Sequence, residues 1–259
     1  MELLFVFLTG LAVGLISTLF GLGGGIIMVP VLSLVLPYSH LEAVATSLAT
    51  IIFVAGFNTF NFHAKGVVVW SIVPFIALPS ALMAFITARL SLYLPEKLLI
   101  SIFILFLLWV ATRTFLVKDL PNEHKTGTRK FIPFGIGSLS GTISGFTGIG
   151  GGGITTPLML VSGLVKNVQA APTSNAIMIF TALFGSLSFA LSTHPERHPY
   201  MLGFIHLDSV LLLFIGSALS SRLGVKLNQQ FSLTWRKTIL GFILMLICFR
   251  LMLLLLNSN

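Results

Sequence analysis

Two glycine-rich stretches carry the residues best suited to chemistry in this chain. The first reads G-L-G-G-G-I-I-M-V-P from Gly21 to Pro30, and the second reads G-I-G-G-G-G-I-T-T-P from Gly148 to Pro157. Glycine adopts backbone angles that other residues avoid, so each stretch predicts a helix that breaks and restarts. The restarted helix presents unsatisfied N–H groups and a partial positive charge, which favour an anion. The residues predicted to bind it are Gly23, Gly24, Gly25, Gly150, Gly151, Gly152 and Gly153.

The alternative for these glycines is close packing, because small residues let membrane helices approach each other. Packing explains a single glycine well. A glycine cluster that occurs twice, each time followed by proline, favours the binding interpretation, because paired broken helices form the substrate sites of many secondary transporters.

Hydroxyl and amide side chains supply a second set of candidates. The two glycine-rich stretches, Gly21–Pro30 and Gly148–Pro157, are called the hinges below. A Thr-Ser pair follows each hinge, at Thr46-Ser47 and at Thr173-Ser174, and Asn175 follows the second pair. Such groups can donate to an anion without placing a charge in the membrane, although each can instead bond to its own helix. Ser17 and Ser144, just before the hinges, are weaker candidates of the same type.

Two asparagines extend this candidate site. Asn58 and Asn61 are three residues apart and share a helix face. Their equivalents in the second half of the chain are Gly185 and Ser188, so the predicted site is not symmetric.

Charged groups suited to ion coupling are few. The predicted proton carriers are His63, Glu42, His206 and Asp208. His63 has a second interpretation as a marker of the membrane surface, and Asp208 with His206 reads as interfacial. No carboxylate lies in the middle of an apolar segment, so proton and sodium coupling both stay open. A site rich in donors and poor in acids suits a small anion better than a cation.

The elements that position these residues are apolar segments. The chain has 259 residues, of which 56% are hydrophobic and 8% are charged, whereas a soluble domain carries roughly 25% charged residues. Ten segments are predicted, at about 3–20, 25–37, 40–62, 67–90, 95–117, 131–147, 153–165, 168–192, 204–227 and 234–256. The second and seventh are too short to cross the roughly 30 Å hydrocarbon core.

The chain consists of two similar halves. A shift of 127 residues places 14–30 on 141–157 without a gap and pairs Thr46-Ser47 with Thr173-Ser174. The predicted organisation is a first repeat at 1–117, a cytoplasmic linker at 118–130 and a second repeat at 131–259. The fold class is therefore an all-α polytopic membrane protein of two inverted repeats of about five segments each, each with a short glycine-broken helix near mid-membrane.

The basic residues give this prediction its orientation. If all ten segments cross, most Lys and Arg residues lie on one side with the linker, and the positive-inside bias places the linker in the cytoplasm and both termini outside. If the two short segments re-enter without crossing, the bias nearly vanishes. The net charge of +8 therefore favours a topological role over a nucleic-acid partner.

These residues resemble the sulfite exporter TauE/SafE family, also called the TSUP transporters. The resemblance covers nearly the whole chain and rests on the doubled G-x-G-G-G-x-x-x-x-P hinge, on the Thr-Ser pair after each hinge, and on Gly66 and Gly203 opening the next long segments. It implies a multi-pass permease of the cytoplasmic (inner) membrane for a small sulfur-containing anion such as sulfite, thiosulfate or an organosulfonate. The family is described with eight or nine spans, and the resemblance leaves export against import open.

The expected function is alternating-access transport of that anion, with the bilayer as environment and no cofactor. The alternatives are an anion channel, an importer of another small carboxylate or sulfonate, and a non-transporting membrane scaffold. An enzyme is not expected, because the chain has neither a G-x-S-x-G elbow nor an H-E-x-x-H motif. His194 and His198 are four apart, but Pro195 lies between them, so no metal pair is predicted. The oligomeric state is not readable from the sequence.

Overall fold

The computed structural model describes residues 2–20, 24–36, 38–116, 131–194, 200–230 and 233–257. The predicted linker at 118–130 and the candidate Gly23 lie outside them. Over the described residues the chain forms ten α-helices and one short β-hairpin, in this order: α1 (Glu2–Phe20), α2 (Gly25–Val35), α3 (His40–His63), α4 (Val73–Ser91), α5 (Glu96–Leu116), α6 (Phe131–Thr147), α7 (Gly152–Val161), α8 (Asn167–Ala190), β1 (Met201–Leu202), β2 (Ile205–His206), α9 (Leu207–Gln230) and α10 (Leu233–Asn257). This confirms the all-α class.

The two short helices follow the two hinges, as the sequence predicts. Helix α2 has 11 residues and α7 has 10, so each is only about 16 Å long. Helix α7 ends at Val161, before the predicted end at residue 165. The reason is Gly163, whose φ of 69° reverses the chain while the N–H of Leu164 bonds to the carbonyl of Met159.

The fourth segment begins later than predicted. Gly66 has a φ of 65° and turns the chain after α3, but residues 67–72 are not helical, and α4 begins at Val73 with Pro74 in its first turn. Gly203 has the same role, with a φ of 58°. It forms the turn of the β1–β2 hairpin, which the apolar pattern did not predict.

Helices α1 and α9 run parallel and in close contact. A methyl group added to Gly10 would lie 2.7 Å from the carbonyl oxygen of Leu213, and one added to Gly14 would overlap the backbone of Ser217. Since the contacts advance in the same direction on both helices, the two helices are parallel.

Helices α6 and α4 repeat this arrangement. A methyl group added to Gly137 would overlap the backbone of Ile76, and one added to Gly141 would overlap that of Ser80. Each half of the chain therefore sends its first helix to pack on the fourth helix of the other half.

Helices α3 and α8 are equivalent under the 127-residue shift and lie side by side. Leu48 of α3 contacts Gly185 of α8, and Asn58 of α3 bonds to Asn175 of α8. The residue numbers rise along one helix as they fall along the other, so α3 and α8 are antiparallel.

Several chain turns gather at the end of α3 that bears His40, which is called the His40 end below. The N–H of His40 donates to Glu96 Oε1 at 2.8 Å, at the start of α5. Arg89, near the end of α4, donates to Ser192, which follows α8. The opposite end of the molecule is called the His63 end.

The outer surface of the helices is apolar. Leu78, Leu105 and Phe242 are among many exposed large hydrophobic side chains, as expected where lipid replaces water. By length and composition, α3, α4 and α8 are the helices within the described residues that can cross a bilayer alone.

Candidate functional site

The second hinge needs glycine for its backbone conformation. Gly148, Gly150 and Gly151 have φ values of 72°, 76° and 81°, in the left-handed region that side chains disfavour. At the first hinge Gly24 has an ordinary φ of −67°, and residues 21–23 lie outside the described part. The left-handed backbone conformation is therefore established for the second hinge only.

Both short helices begin with the same hydrogen-bond pattern. In α7, Ile154 and Thr155 donate their N–H groups to the carbonyl of Gly151, at 3.0 and 2.9 Å. The amides of Gly152 and Gly153 come before these first donors, so the helix itself supplies them with no acceptor.

The start of α2 matches it. Ile27 and Met28 donate to the carbonyl of Gly24, at 3.1 and 3.0 Å, so the amides of Gly25 and Ile26 are left over in the same way. The two hinges therefore present equivalent pairs of amides at two helix N-termini.

The two hinges are in direct contact. A methyl group added to Gly25 would lie 2.6 Å from the carbonyl oxygen of Gly148 and 2.6 Å from Cα of Ile149. Gly150 in turn lies against Ile51, which is near the middle of the 24-residue helix α3. The hinges thus meet about halfway along the central helix, and in this conformation they leave no room for an ion between Gly25 and Gly148.

The serines of the two Thr-Ser pairs are both buried but have different partners. Ser47 Oγ donates to the carbonyl of Gly148 at 2.8 Å, which links the first pair to the second hinge. Its equivalent, Ser174 Oγ, is buried without a hydrogen-bond partner, as is Ser144 Oγ just before the second hinge. A buried hydroxyl without a partner costs free energy, so these two are the candidates best placed to gain from a ligand.

The threonines of the two pairs make reciprocal contacts instead. Thr46 Oγ1 accepts from the N–H of His206 at 3.2 Å, and Thr173 Oγ1 accepts from the N–H of Val69 at 3.0 Å. Each threonine therefore holds an extended segment of the other half. Their predicted role as anion donors stays a prediction.

Asn58 and Asn175 come together between α3 and α8. Asn58 Nδ2 lies 3.4 Å from Asn175 Oδ1, and Asn175 also donates to the carbonyl of Ala171 at 2.8 Å. Asn58 lines a narrow cleft between α1, α3 and α9. The cleft residues are Gly14, Ser17, Val54, Phe57, Asn58, Phe214, Ser217, Ala218 and Ser221.

Two other candidates lie away from this region. Asn61 and His63 are exposed at the His63 end of α3. The ring of His63 accepts a hydrogen bond of 3.1 Å from Trp70 Nε1. The structure therefore separates Asn61 and His63 from the hinges.

The candidates for proton transfer divide in the same way. Glu42 Oε1 lies 3.1 Å from Nε2 of His206, and 3.6 Å from Nε2 of His194. Asp208 instead accepts from the backbone N–H of Ser209 at 2.8 Å, next to it in sequence. The structure thus brings Glu42 and His206 together and leaves Asp208 in a local contact.

Sequence reasoning missed two members of this cluster. In the sequence, His194 stands out only by its four-residue spacing from His198, and its position in a loop gives no indication that it approaches Glu42. Tyr38 stacks on His206 with ring centroids 4.0 Å apart, and its hydroxyl lies 2.7 Å from Ser209 Oγ. Nothing in the local pattern marks Tyr38, because its partners are far along the chain.

Comparison with known proteins agrees with this architecture. The family model described as sulfite exporter TauE/SafE matches residues 6–251. A probable membrane transporter protein of Haemophilus influenzae is 30% identical over 258 residues, covering 95% of each chain. One from Methanocaldococcus jannaschii is 27% identical, covering 87% of this chain and 86% of its own. No solved structure matches the chain. Because the family match spans almost the entire sequence, this multi-pass membrane protein belongs to the sulfite exporter TauE/SafE family, whose members are transporters and not enzymes.

Proposed function

We propose that the protein is a secondary transporter that moves a small sulfur-containing anion, such as sulfite, thiosulfate or an organosulfonate, across the cytoplasmic membrane by alternating access. The direct contact of Gly25 with Gly148 and Ile149 carries this proposal. It brings two helix N-termini, one from each half, to the same depth near the middle of α3. Amides at helix N-termini attract anions, and the family's name supplies the sulfur oxyanion as the first substrate to test.

The packing supports inverted halves. In an inverted repeat, equivalent helices must run in opposite directions, and the equivalent helices α3 and α8 are antiparallel. The exchange of first helices, α1 onto α9 and α6 onto α4, is also what a two-fold relation requires. The basic linker then places the His63 end in the cytoplasm and the His40 end outside.

Equivalent contacts in the two halves differ, and this difference supports alternating access. Near the middle of α4 and α8, Ser80 Oγ and Thr181 Oγ1 are 2.7 Å apart and buried, so they join these two helices. Gly14 packs on Ser217 as Gly141 packs on Ser80, so the equivalents of Ser80 and Thr181 are Ser217 and Val54, which line the narrow cleft between α9 and α3. Two halves that rock against each other would exchange such unequal contacts during the transport cycle.

The test is counterflow in proteoliposomes that contain the purified protein. Vesicles loaded with unlabelled sulfite, thiosulfate or methanesulfonate are diluted into a trace of the same labelled anion. A carrier accumulates the label transiently, whereas a channel cannot. Label entry without overshoot would indicate a channel, preferential counterflow of acetate would indicate a carboxylate carrier, and no movement of any anion under any gradient would favour a scaffold.

A further inference from the structure

Glu42, His194 and His206, called the Glu42 cluster below, join the two halves of the protein at the His40 end. Glu42 belongs to the first turn of α3, where its carboxylate accepts from the N–H of Ser39 at 2.6 Å. His194 follows α8 and His206 is the last residue of β2, so both imidazoles come from the second half. One carboxylate oxygen therefore has two imidazole nitrogens of the other half at 3.1 and 3.6 Å.

The same segment is fixed to α3 at a second point. The backbone N–H of His206 bonds to Thr46 Oγ1, one turn further along α3 than Glu42. The next residue, Ser47, bonds to Gly148 at the second hinge. Three hydrogen bonds therefore link Glu42 to the place where the two hinges meet. They join Glu42 to His206, His206 to Thr46, and the adjacent Ser47 to Gly148.

The opposite end of the molecule has the same backbone contact without the charges. There Thr173 accepts from the N–H of Val69, in the place of Thr46 and His206. The residue equivalent to Glu42 is Gln169, whose side chain accepts from the N–H of Lys166. At these described positions, Gln169 and Val69 therefore replace Glu42 and His206 and carry no titratable side chain.

We propose that Glu42, His194 and His206 form the proton-binding site that couples anion transport to a proton gradient; this rests on the transport function proposed above. Imidazole is the side chain that changes charge between about pH 5 and 8. Each proton bound to His194 or His206 adds an ion pair with Glu42, and this pair joins the two halves of the chain. In partly buried surroundings such a pair is stronger than in water. Proton binding from outside therefore stabilises the contact between α3 and the second half of the chain at the His40 end. Loss of the proton weakens this contact.

The three groups are partly accessible, as a site that exchanges protons with solvent must be. The side chains of Glu42, His194 and His206 are 12%, 15% and 14% exposed. The other titratable or charged groups that the structure describes at this end include Tyr38, His40, Arg89, Tyr93, Glu96, Lys97, Tyr200, Asp208 and Arg250. His40 is buried against Phe103, and Asp208 accepts from the backbone N–H of Ser209.

The experiment compares two transport modes in proteoliposomes for the variants Glu42→Gln, His206→Gln and His194→Gln. Counterflow of sulfite or thiosulfate needs no net proton movement, whereas accumulation driven by an imposed pH gradient does. We expect Glu42→Gln and His206→Gln to keep counterflow and to lose gradient-driven accumulation by about tenfold, within the usual range for coupled sites. The matched controls are Glu123→Gln and His124→Gln, in the segment between the two repeats. They should behave as wild type in both modes.

A second measurement needs no substrate. A group whose proton affinity differs between the folded and unfolded states makes the Tm depend on pH. The Tm of detergent-solubilised wild type and Glu42→Gln should therefore diverge across the range in which imidazole changes charge, between about pH 5 and 8. If no anion is transported but the Tm profiles diverge, the transport function fails and the proton site stands. If Glu42→Gln accumulates anion like wild type, or if the Tm profiles coincide, the proton site is overturned.

Discussion

The hydroxyl of Ser47 donates a 2.8 Å hydrogen bond to the carbonyl oxygen of Gly148. This bond joins the polar pair of the first half to the glycine hinge of the second. Since Gly148 also lies against Gly25, the positions of both hinges depend on how α3 holds one carbonyl group. The same bond explains why a serine is placed in an apolar helix at this depth.

Removing the Ser47 hydroxyl should destabilise the protein, whereas removing its equivalent should not. Ser47→Ala leaves the buried carbonyl of Gly148 without this donor, at a cost of about 1–3 kcal/mol. Ser174→Ala removes a hydroxyl that has no partner, so Tm should stay the same or rise. Thermal unfolding in detergent measures both. If Ser174 binds the anion, its alanine variant should instead lose the stabilisation that added anion gives the wild type.

Separating the two hinges by one methyl group should abolish transport. In Gly25→Ala the new Cβ would lie 2.6 Å from two backbone atoms of the other hinge, and backbone cannot move aside as a side chain can. The control is Gly135→Ala, because a methyl group there meets nothing within 4 Å. We expect normal counterflow in Gly135→Ala and none in Gly25→Ala, with both proteins present in the membrane. Equal counterflow would mean that the contact between the hinges has no role in transport.

Valine at the two hinges should have unequal effects on stability and equal effects on transport. Gly151→Val places a β-branched side chain at a φ of 81° and against Ser140, which costs about 1–2 kcal/mol from the backbone alone. At Gly24 the atoms nearest to an added Cβ belong to the side chains of Val13 and Met28, which can move aside more easily than backbone. Both variants should lose uptake, because bulk at a helix start blocks its free amides. Tm should fall more for Gly151→Val, and wild-type uptake by both would contradict the binding role of the amides.

Asn58 and Asn61 allow a test of whether the anion binds near the hinges or at the His63 end. Asn58 lines the cleft and contacts Asn175, whereas Asn61 is exposed at the end of α3. Asn58→Ala should raise KM for the transported anion by about ten- to a hundredfold, since a polar contact to a charged group is worth roughly 1.5–3 kcal/mol. Asn61→Ala should change KM less. The reverse order would place the site at the His63 end instead of at the hinges.

A reversible cross-link between α4 and α8 should stop transport by holding these two helices together. Ser80 and Thr181 have hydroxyl oxygens 2.7 Å apart, so cysteines there are close enough for a disulfide. The background is Cys248→Ala, because Cys248 is the one native cysteine. We expect oxidised Ser80→Cys/Thr181→Cys protein to be inactive and dithiothreitol to restore counterflow. Full counterflow by the cross-linked protein would rule out opening between α4 and α8.

Most of the helices were predictable because their causes are local. An apolar run long enough to span or half-span the bilayer becomes a helix whatever its neighbours are, and α6 has the predicted bounds of 131–147. The doubled glycine runs also predicted the two short helices, since a glycine cluster breaks a helix wherever it occurs. The β-hairpin was missed because two residues per strand leave no periodic pattern.

The parts of the site that were missed depend on distant partners. Glycines at 10 and 14, and at 137 and 141, mark helix faces that accept close packing, but they do not indicate which helix packs there. Likewise, no local pattern distinguishes Ser47, which has a backbone partner, from Ser174, which has none. His194 approaches Glu42 only because α8 runs antiparallel to α3.

The exchange of first helices has a consequence for biogenesis. Helix α1 leaves the ribosome well before α9, yet the surface that its glycines fit belongs to α9, which begins only at Leu207. Until α9 is inserted, the glycine face of α1 contacts lipid. Helix α4, in contrast, can pack against α6 as soon as the second half begins to insert. Neither half, expressed by itself, contains the neighbour that its opening helix requires, so co-expression of both fragments should be needed to rebuild the transporter.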